Sequence, residues 1–207
     1  MRFVAFDTET TGFGKDARIL EVAAVTFDGD EPRSVWRTMV NPGPIDWRAP
    51  AVQKALGVNG IRPEDVRDAP TFREVLPALL LVLREPVWVG HNPRFDLRML
   101  AAERRRADQQ AGICTDRQVP RPRVIADTVS LDYALFPNQD WSRKLEAMAD
   151  RYCVPVTNAH TAADDSEVCG RIFAKMVPRL PKGLDELAGF VGDAERAYKT
   201  HRSTRRR

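Results

Sequence analysis

Three short stretches of this 207-residue chain carry residue types whose spacing suits chemistry at a metal-bound centre. The first is Asp7-Thr8-Glu9, set between the apolar run Phe3-Val4-Ala5-Phe6 and Thr10-Thr11-Gly12. In a strand, side chains alternate between faces, so Asp7 and Glu9 point the same way. Two such carboxylates repel each other unless a cation lies between them, and hard ions such as Mg²⁺ take carboxylate oxygens. Alone, the pair fits equally well a strand running out into a solvated acidic turn, so downstream carboxylates must decide. The second stretch is Gly90-His91-Asn92-Pro93-Arg94-Phe95-Asp96, where an apolar strand gives way to a helix with Asp96 in its first turn. The third is His160-Thr161-Ala162-Ala163-Asp164-Asp165, where a helix begins near Thr161 and Asp165 lies one turn in. Strand ends and helix starts are where sites assemble in open α/β folds, and a helix N-terminus tolerates negative charge.

Neighbouring polar residues are expected outside the site. One helical step turns a side chain by about 100°, so Asp164 and Asp165 cannot both face the same point. Asp164 is expected to cap the helix or face solvent, Asp127 to act as an N-cap, and His91 to be a hydrogen-bonded structural histidine. His201 is expected to be solvated, Cys153 and Cys169 to be small buried residues, and the four tryptophans to serve packing.

The elements that must position these residues can be read in order. Strands are expected at Phe3 onward, at Ile19 to Phe27 and at Ser34 to Val40, with Asp28-Gly29-Asp30 as a hairpin turn. These three make an antiparallel meander. Residues 41–63 read as a loop with one short helix near Val52 to Leu56. Thr71 and Glu74 form a capping-box pattern for a helix whose apolar face includes Phe72, Val75, Leu79 and Leu83. Pro77 predicts a kink or a later start. A strand from Val87, a helix from Phe95 to Ala107, a loop over 108–122 and a strand from Arg123 to Thr128 follow. Helices are expected at Val129 to Phe136, Trp141 to Tyr152, after His160 to about Val177, and from Leu184 into a fraying basic end.

Composition bounds the rest. Hydrophobic residues make 43% and charged residues 29% of the chain, a globular profile. There is no apolar run long enough to span a membrane, and Met1-Arg2-Phe3 leads straight into the first strand, which predicts no signal peptide and no membrane partner. Three widely spaced cysteines fit neither a disulfide framework nor a zinc site and predict a cytoplasmic protein. From Arg94 to Arg123 eight arginines face four acids, and from Arg196 to Arg207 six basic residues face none. Basic stretches beside an acidic centre, Arg104-Arg105-Arg106 among them, suit a polyanion.

The three stretches resemble, in order and spacing, the motifs of the DEDDh (DnaQ-like) 3′→5′ exonuclease family: Phe6-Asp7-Thr8-Glu9-Thr10-Thr11-Gly12, then His91-Asn92-Pro93-Arg94-Phe95-Asp96, then His160 with Asp165 five residues on. The resemblance covers about residues 2 to 177 and implies an RNase H-like α/β fold: a mixed five-stranded sheet, the first three strands antiparallel, with helices on both faces. It implies an exonuclease domain over 1–180, followed by a C-terminal helix and basic tail over 181–207. It also implies hydrolysis of single-stranded nucleic acid from the 3′ end with two Mg²⁺ or Mn²⁺ ions, releasing nucleoside 5′-monophosphates. In that family pattern Asp7 bridges both ions, Glu9 and Asp165 hold the one on the nucleophile's side, and Asp96 lies nearer the other. His160 is then the general base. Thr10, Thr11 and Gly12 place backbone amides near the terminal nucleotide, Phe13 stacks or wedges against its base, and Asn92 orients the site. The family includes polymerase proofreading subunits, free-standing DNA exonucleases and RNA-trimming enzymes. DNA proofreading or repair is the first expectation, with a DNA polymerase catalytic subunit as candidate partner, and RNA trimming is the second. No clamp-binding peptide stands out. A non-catalytic binding module would be expected to lack one of the five catalytic side chains, and all are present.

Overall fold

The computed structural model describes residues 1–110, 121–156 and 161–204. His160, Cys114, most of the 108–122 loop, the end of the loop expected over 153–159, and Arg205 to Arg207 lie outside the described residues. The architecture is the expected one. Five strands, β1 (Arg2–Thr10), β2 (Ile19–Asp28), β3 (Glu31–Met39), β4 (Val87–Gly90) and β5 (Val124–Asp127), form a single sheet in the order β3-β2-β1-β4-β5. The β1–β2 and β2–β3 pairs are antiparallel, and β1–β4 and β4–β5 are parallel.

Alternation along β1 sends its side chains into two separate cores. Phe3 and Ala5 join Val25, Phe27, Val87 and Val89 beneath helices α5 (Thr128–Leu135), α6 (Leu145–Arg151), α7 (Ala162–Met176) and α8 (Leu184–Thr204). Val4 and Phe6 join Val22, Ala24 and Trp88 beneath α3 (Phe72–Val82) and α4 (Arg94–Gln110) on the other face. Close approach of α7 to the sheet requires Gly170, because a Cβ there would lie 2.2 Å from the Phe27 ring. That ring is stacked on Phe3 at 4.8 Å, and Phe3 meets Phe173 edge-on at 4.9 Å.

Several expectations are corrected. The short helix near Val52 is the longer α1 (Pro50–Asn59), and a second helix, α2 (Pro63–Arg67), follows where the expected loop ends; neither has the apolar periodicity of a core helix, since α1 buries no residue and α2 only Val66. The α3 helix starts at Phe72 despite Pro77, because Thr71 and Glu74 close its capping box. The β3 strand begins earlier, at Glu31, and α6 later, at Leu145. Cys153 is exposed rather than buried, since it follows α6 with a left-handed backbone, φ 54°. His201 packs against Tyr133 with ring centroids 4.8 Å apart instead of standing free in solvent. Arg106 is part of a structural cluster: with Arg18 it holds the buried Glu103, and it also reaches the Ala17 carbonyl. No helix among the described residues is long and apolar enough to cross a membrane.

Candidate active site

The end of β1 places its last side chains alternately, as its core residues are placed. Asp7 and Glu9 continue the face of Phe3 and Ala5, on which α7 packs, while Thr8 continues the face of Val4 and Phe6, on which α4 packs. A register irregularity between Glu9 and Thr10 ends the regular β1–β2 pairing there. Thr161 caps α7, accepting from the Asp164 amide at 3.2 Å and donating to the Asp164 carboxylate at 2.6 Å. Asp164 is thereby occupied in the cap, and Asp165 turns toward the sheet. One carboxylate oxygen from each of Asp7, Glu9 and Asp165 lies within 4.8 Å of the others.

Asp96 comes from the opposite face. It is buried in the first turn of α4, and Thr8 donates to its Oδ1 through both its hydroxyl (2.6 Å) and its amide (3.1 Å). A fifth acid, Glu21, lies across β1–β2 from Glu9 and accepts from the Ala162 amide at 3.2 Å, tying β2 to the start of α7. Sequence reading missed Glu21, and its apolar neighbours conceal it.

Electrostatics confirm the crowding. Burial pushes the Asp7 carboxyl well above its usual range, and the carboxylates of Asp96, Glu9, Asp165 and Glu21 push it further. Glu9 is pushed up to about 7, first by burial and then by Asp165, against a hydrogen bond from Asn59. Burial raises Asp96 to about 6, with the two Thr8 donors opposing. Burial also raises Glu21, opposed by the Ala162 amide and Arg37. Hard oxygen donors gathered this closely, with mutual repulsion that a cation would relieve, fit a divalent ion.

Asp7, Glu9, Asp96 and Asp165 open onto a cleft of about 800 Å³. Thr10, Gly12, Phe13 and Asn92 are among the residues that line it. Phe13 is 82% exposed on the rim, tilted against Phe95 at 5.2 Å, with the Arg98 guanidinium 5.4 Å from the Phe95 ring. Thr11 is not brought into the cleft: its amide donates to the Arg18 carbonyl, and its hydroxyl accepts from the Arg18 amide. The opposite wall is α1, through Lys54, Val58 and Asn59, and no motif announces it. Asn59 donates to the Thr10 carbonyl at 3.2 Å and so fixes α1 to the end of β1. His91 bonds to the Thr128 hydroxyl at 3.0 Å, and Asp127 caps α5 by accepting from the Val129 amide.

The sequence profile of the exonuclease family of ribonuclease T type matches residues 4–173. The chain belongs to this exonuclease family. It is 32% identical over 184 residues to DNA polymerase III subunit epsilon of Treponema pallidum (strain Nichols), covering 87% of this chain and 78% of that protein. It is 30% identical over 199 residues to the PolC-type DNA polymerase III of Caldanaerobacter subterraneus subsp. tengcongensis, covering 93% of this chain but only 13% of that longer protein. Exonuclease X, solved in complex with 5′ overhanging duplex DNA, superposes with a TM-score of 0.67 at 20% identity, covering 92% of this chain and 98% of that one, which establishes a common RNase H-like fold. The chain is accordingly a 3′→5′ exonuclease acting on nucleic acid.

Proposed function

We propose that this exonuclease removes nucleotides from the 3′ end of single-stranded DNA in proofreading or repair, releasing nucleoside 5′-monophosphates. One observation carries the reading: Asp7, Glu9 and Asp165 bring oxygens within 4.8 Å of one another, and with Asp96 they line a cleft of about 800 Å³. Asp7, Glu9, Asp96 and Asp165 would hold two divalent ions, Mg²⁺ or Mn²⁺. Bound there, the ions supply a more acidic water and neutralise charge at the scissile phosphate.

The chain's own residues do the rest. His160, one residue before the Thr161 cap, takes the proton of the attacking water in this reading. Thr8 orients Asp96 through two donors, and Glu21 sets the start of α7 and so the reach of Asp165. The exposed Phe13 ring, beside Gly12 on the cleft, offers a stacking face to the terminal base, and Asn92 orients the opposite side. DNA is favoured over RNA by the likeness to a DNA polymerase III subunit, which also supports a polymerase catalytic subunit as partner. In this reading residues 1–180 are the exonuclease domain, and 181–207 add a C-terminal helix and basic tail.

The test is a gel assay on 5′-labelled single-stranded DNA and RNA of one sequence, with Mg²⁺, Mn²⁺ or EDTA, for wild type and Asp7→Ala. Metal-dependent shortening from the 3′ end, faster on DNA and lost in Asp7→Ala, is expected. Faster shortening of RNA would replace the substrate assignment with RNA trimming. Binding without shortening under either metal would make the chain a non-catalytic module.

A further inference from the structure

The carboxylate cleft has a neighbour beyond Arg94. Asn92 and Arg94 also line a second groove of about 370 Å³, whose far wall is the last three turns of α8. We propose that this groove is a second binding site, for the phosphate backbone of the strand whose 3′ end occupies the cleft. The proposal rests on the exonuclease reading and extends it to a helix that lies beyond the family's matched residues 4–173.

The charges of the groove point to an anion. Its two acids are already engaged. Asp127 accepts from the amides of Asn92 and Val129, and Glu195 is paired with Arg94 at 2.7 Å. That pair also ties α4 to α8 and so fixes the two walls. What remains are Lys199 and Arg202, both exposed and neither in an ion pair among the described residues. The helix dipole favours cations at this end of α8, but it does not account for their lying on a groove that shares Asn92 and Arg94 with the cleft.

The shape and lining point to a strand rather than a small ion. Tyr198 lies on the groove with the Arg202 guanidinium 5.9 Å from its ring, and Tyr133 packs behind it at 5.6 Å. Cations along a groove with an aromatic face suit an unpaired strand, because they take its phosphates and stack its bases without regard to sequence. Lys199 and Arg202 are three residues apart on a helix, so they are surface neighbours that can meet the same stretch of backbone.

The test measures binding in Ca²⁺ or EDTA, where turnover does not intrude, by fluorescence anisotropy of a 5′-labelled oligothymidylate of about 20 nucleotides across a salt series. Wild type is compared with the Lys199→Ala/Arg202→Ala double variant and with Lys175→Ala, an exposed cation on α7 away from both grooves. Each phosphate contact on a single strand contributes about 0.7 to the slope of log K against log salt, so losing two should flatten it by about 1.4 and weaken binding about 25-fold at 0.1 M salt. Unchanged melting temperatures would show that the variants remain folded. A double variant with wild-type affinity and slope overturns the proposal, as does an equal loss in Lys175→Ala, which would mean a general field effect. Shortening of the same strand by wild type in Mg²⁺ separates the two readings. If shortening occurs while the double variant binds as wild type, only the α8 site falls. If no shortening occurs, the exonuclease reading fails and the site falls with it.

Discussion

Thr8 gives both its hydroxyl hydrogen and its amide hydrogen to one oxygen of Asp96, at 2.6 and 3.1 Å, across 88 positions of sequence. The two donors leave the second oxygen of Asp96 for the cleft and hold the carboxyl's pKa below where burial alone would place it. Thr8→Val keeps the shape and the amide bond but removes the hydroxyl. Loss of such a supporting hydrogen bond costs about 10–100-fold in metal affinity or activity. The half-saturating Mg²⁺ concentration should rise accordingly, and Thr8→Ser should restore it. A Val variant indistinguishable from wild type would mean that the hydroxyl contributes only packing.

The carboxyl cluster makes stability depend on pH and on metal together. Glu9 titrates near 7 in the folded chain against an ordinary value of 4.5, and Asp7 is raised in the same direction. The folded state therefore binds more protons than the unfolded one. Stability from these groups is fully present below their unfolded pKa and is lost as pH rises through about 7. Melting temperatures in EDTA should fall over that window. A divalent ion displaces the protons, so added Mg²⁺ should raise the melting temperature more at about pH 8 than at about pH 5.5. An equal Mg²⁺ effect at both values would argue against ion binding by these carboxyls.

Gly170 predicts a packing defect. An alanine Cβ would lie 2.2 Å from one atom of the Phe27 ring, which is held by its stack on Phe3. Overpacking of this kind costs about 1–3 kcal/mol, against a helix-propensity gain of about 1 kcal/mol. Gly170→Ala should therefore lower the urea midpoint. A higher midpoint would show that the ring moves aside freely.

Asp132 is fully buried and accepts from Trp141 (3.0 Å), Arg143 (2.8 Å), Tyr152 (3.0 Å) and Arg151 (3.4 Å). The arrangement ties α5 to α6 and to the segment between them. Asp132→Ala strands the Arg143 guanidinium, only 8% exposed, and removing one partner of a buried pair costs about 3–5 kcal/mol. Urea unfolding should show a loss of that size. A loss below about 1 kcal/mol, the range of exposed pairs, would mean that water replaces the carboxylate.

The sheet and most helices were legible because β1, β2 and α3 carry strong local signals: apolar alternation, a hairpin glycine and a capping box. The corrections fall where local signals are weak. The α1 helix buries no residue, so nothing periodic marks its extent, yet it supplies one wall of the cleft. Thr11 reads as part of the motif beside it, but the turn back toward Arg18 consumes its polar groups. Arg106 reads as part of a basic run, but buried Glu103 claims it.

The sequence alone determined which groups can do the chemistry and at which ends of which elements they stand, because strand alternation and helix capping are local rules. Only the tertiary structure decided that they meet. The α7 helix approaches β1 and β2 closely because Gly170 admits Phe27, and Glu21 pins its first turn, so Asp165 reaches Asp7 and Glu9. The α4 helix packs on the other face, so Asp96 meets the same strand end from behind through Thr8. The α8 groove, too, exists only in the fold, where Arg94 and Glu195 join helices a hundred residues apart. Such contacts follow from the packing of surfaces, which no local pattern encodes.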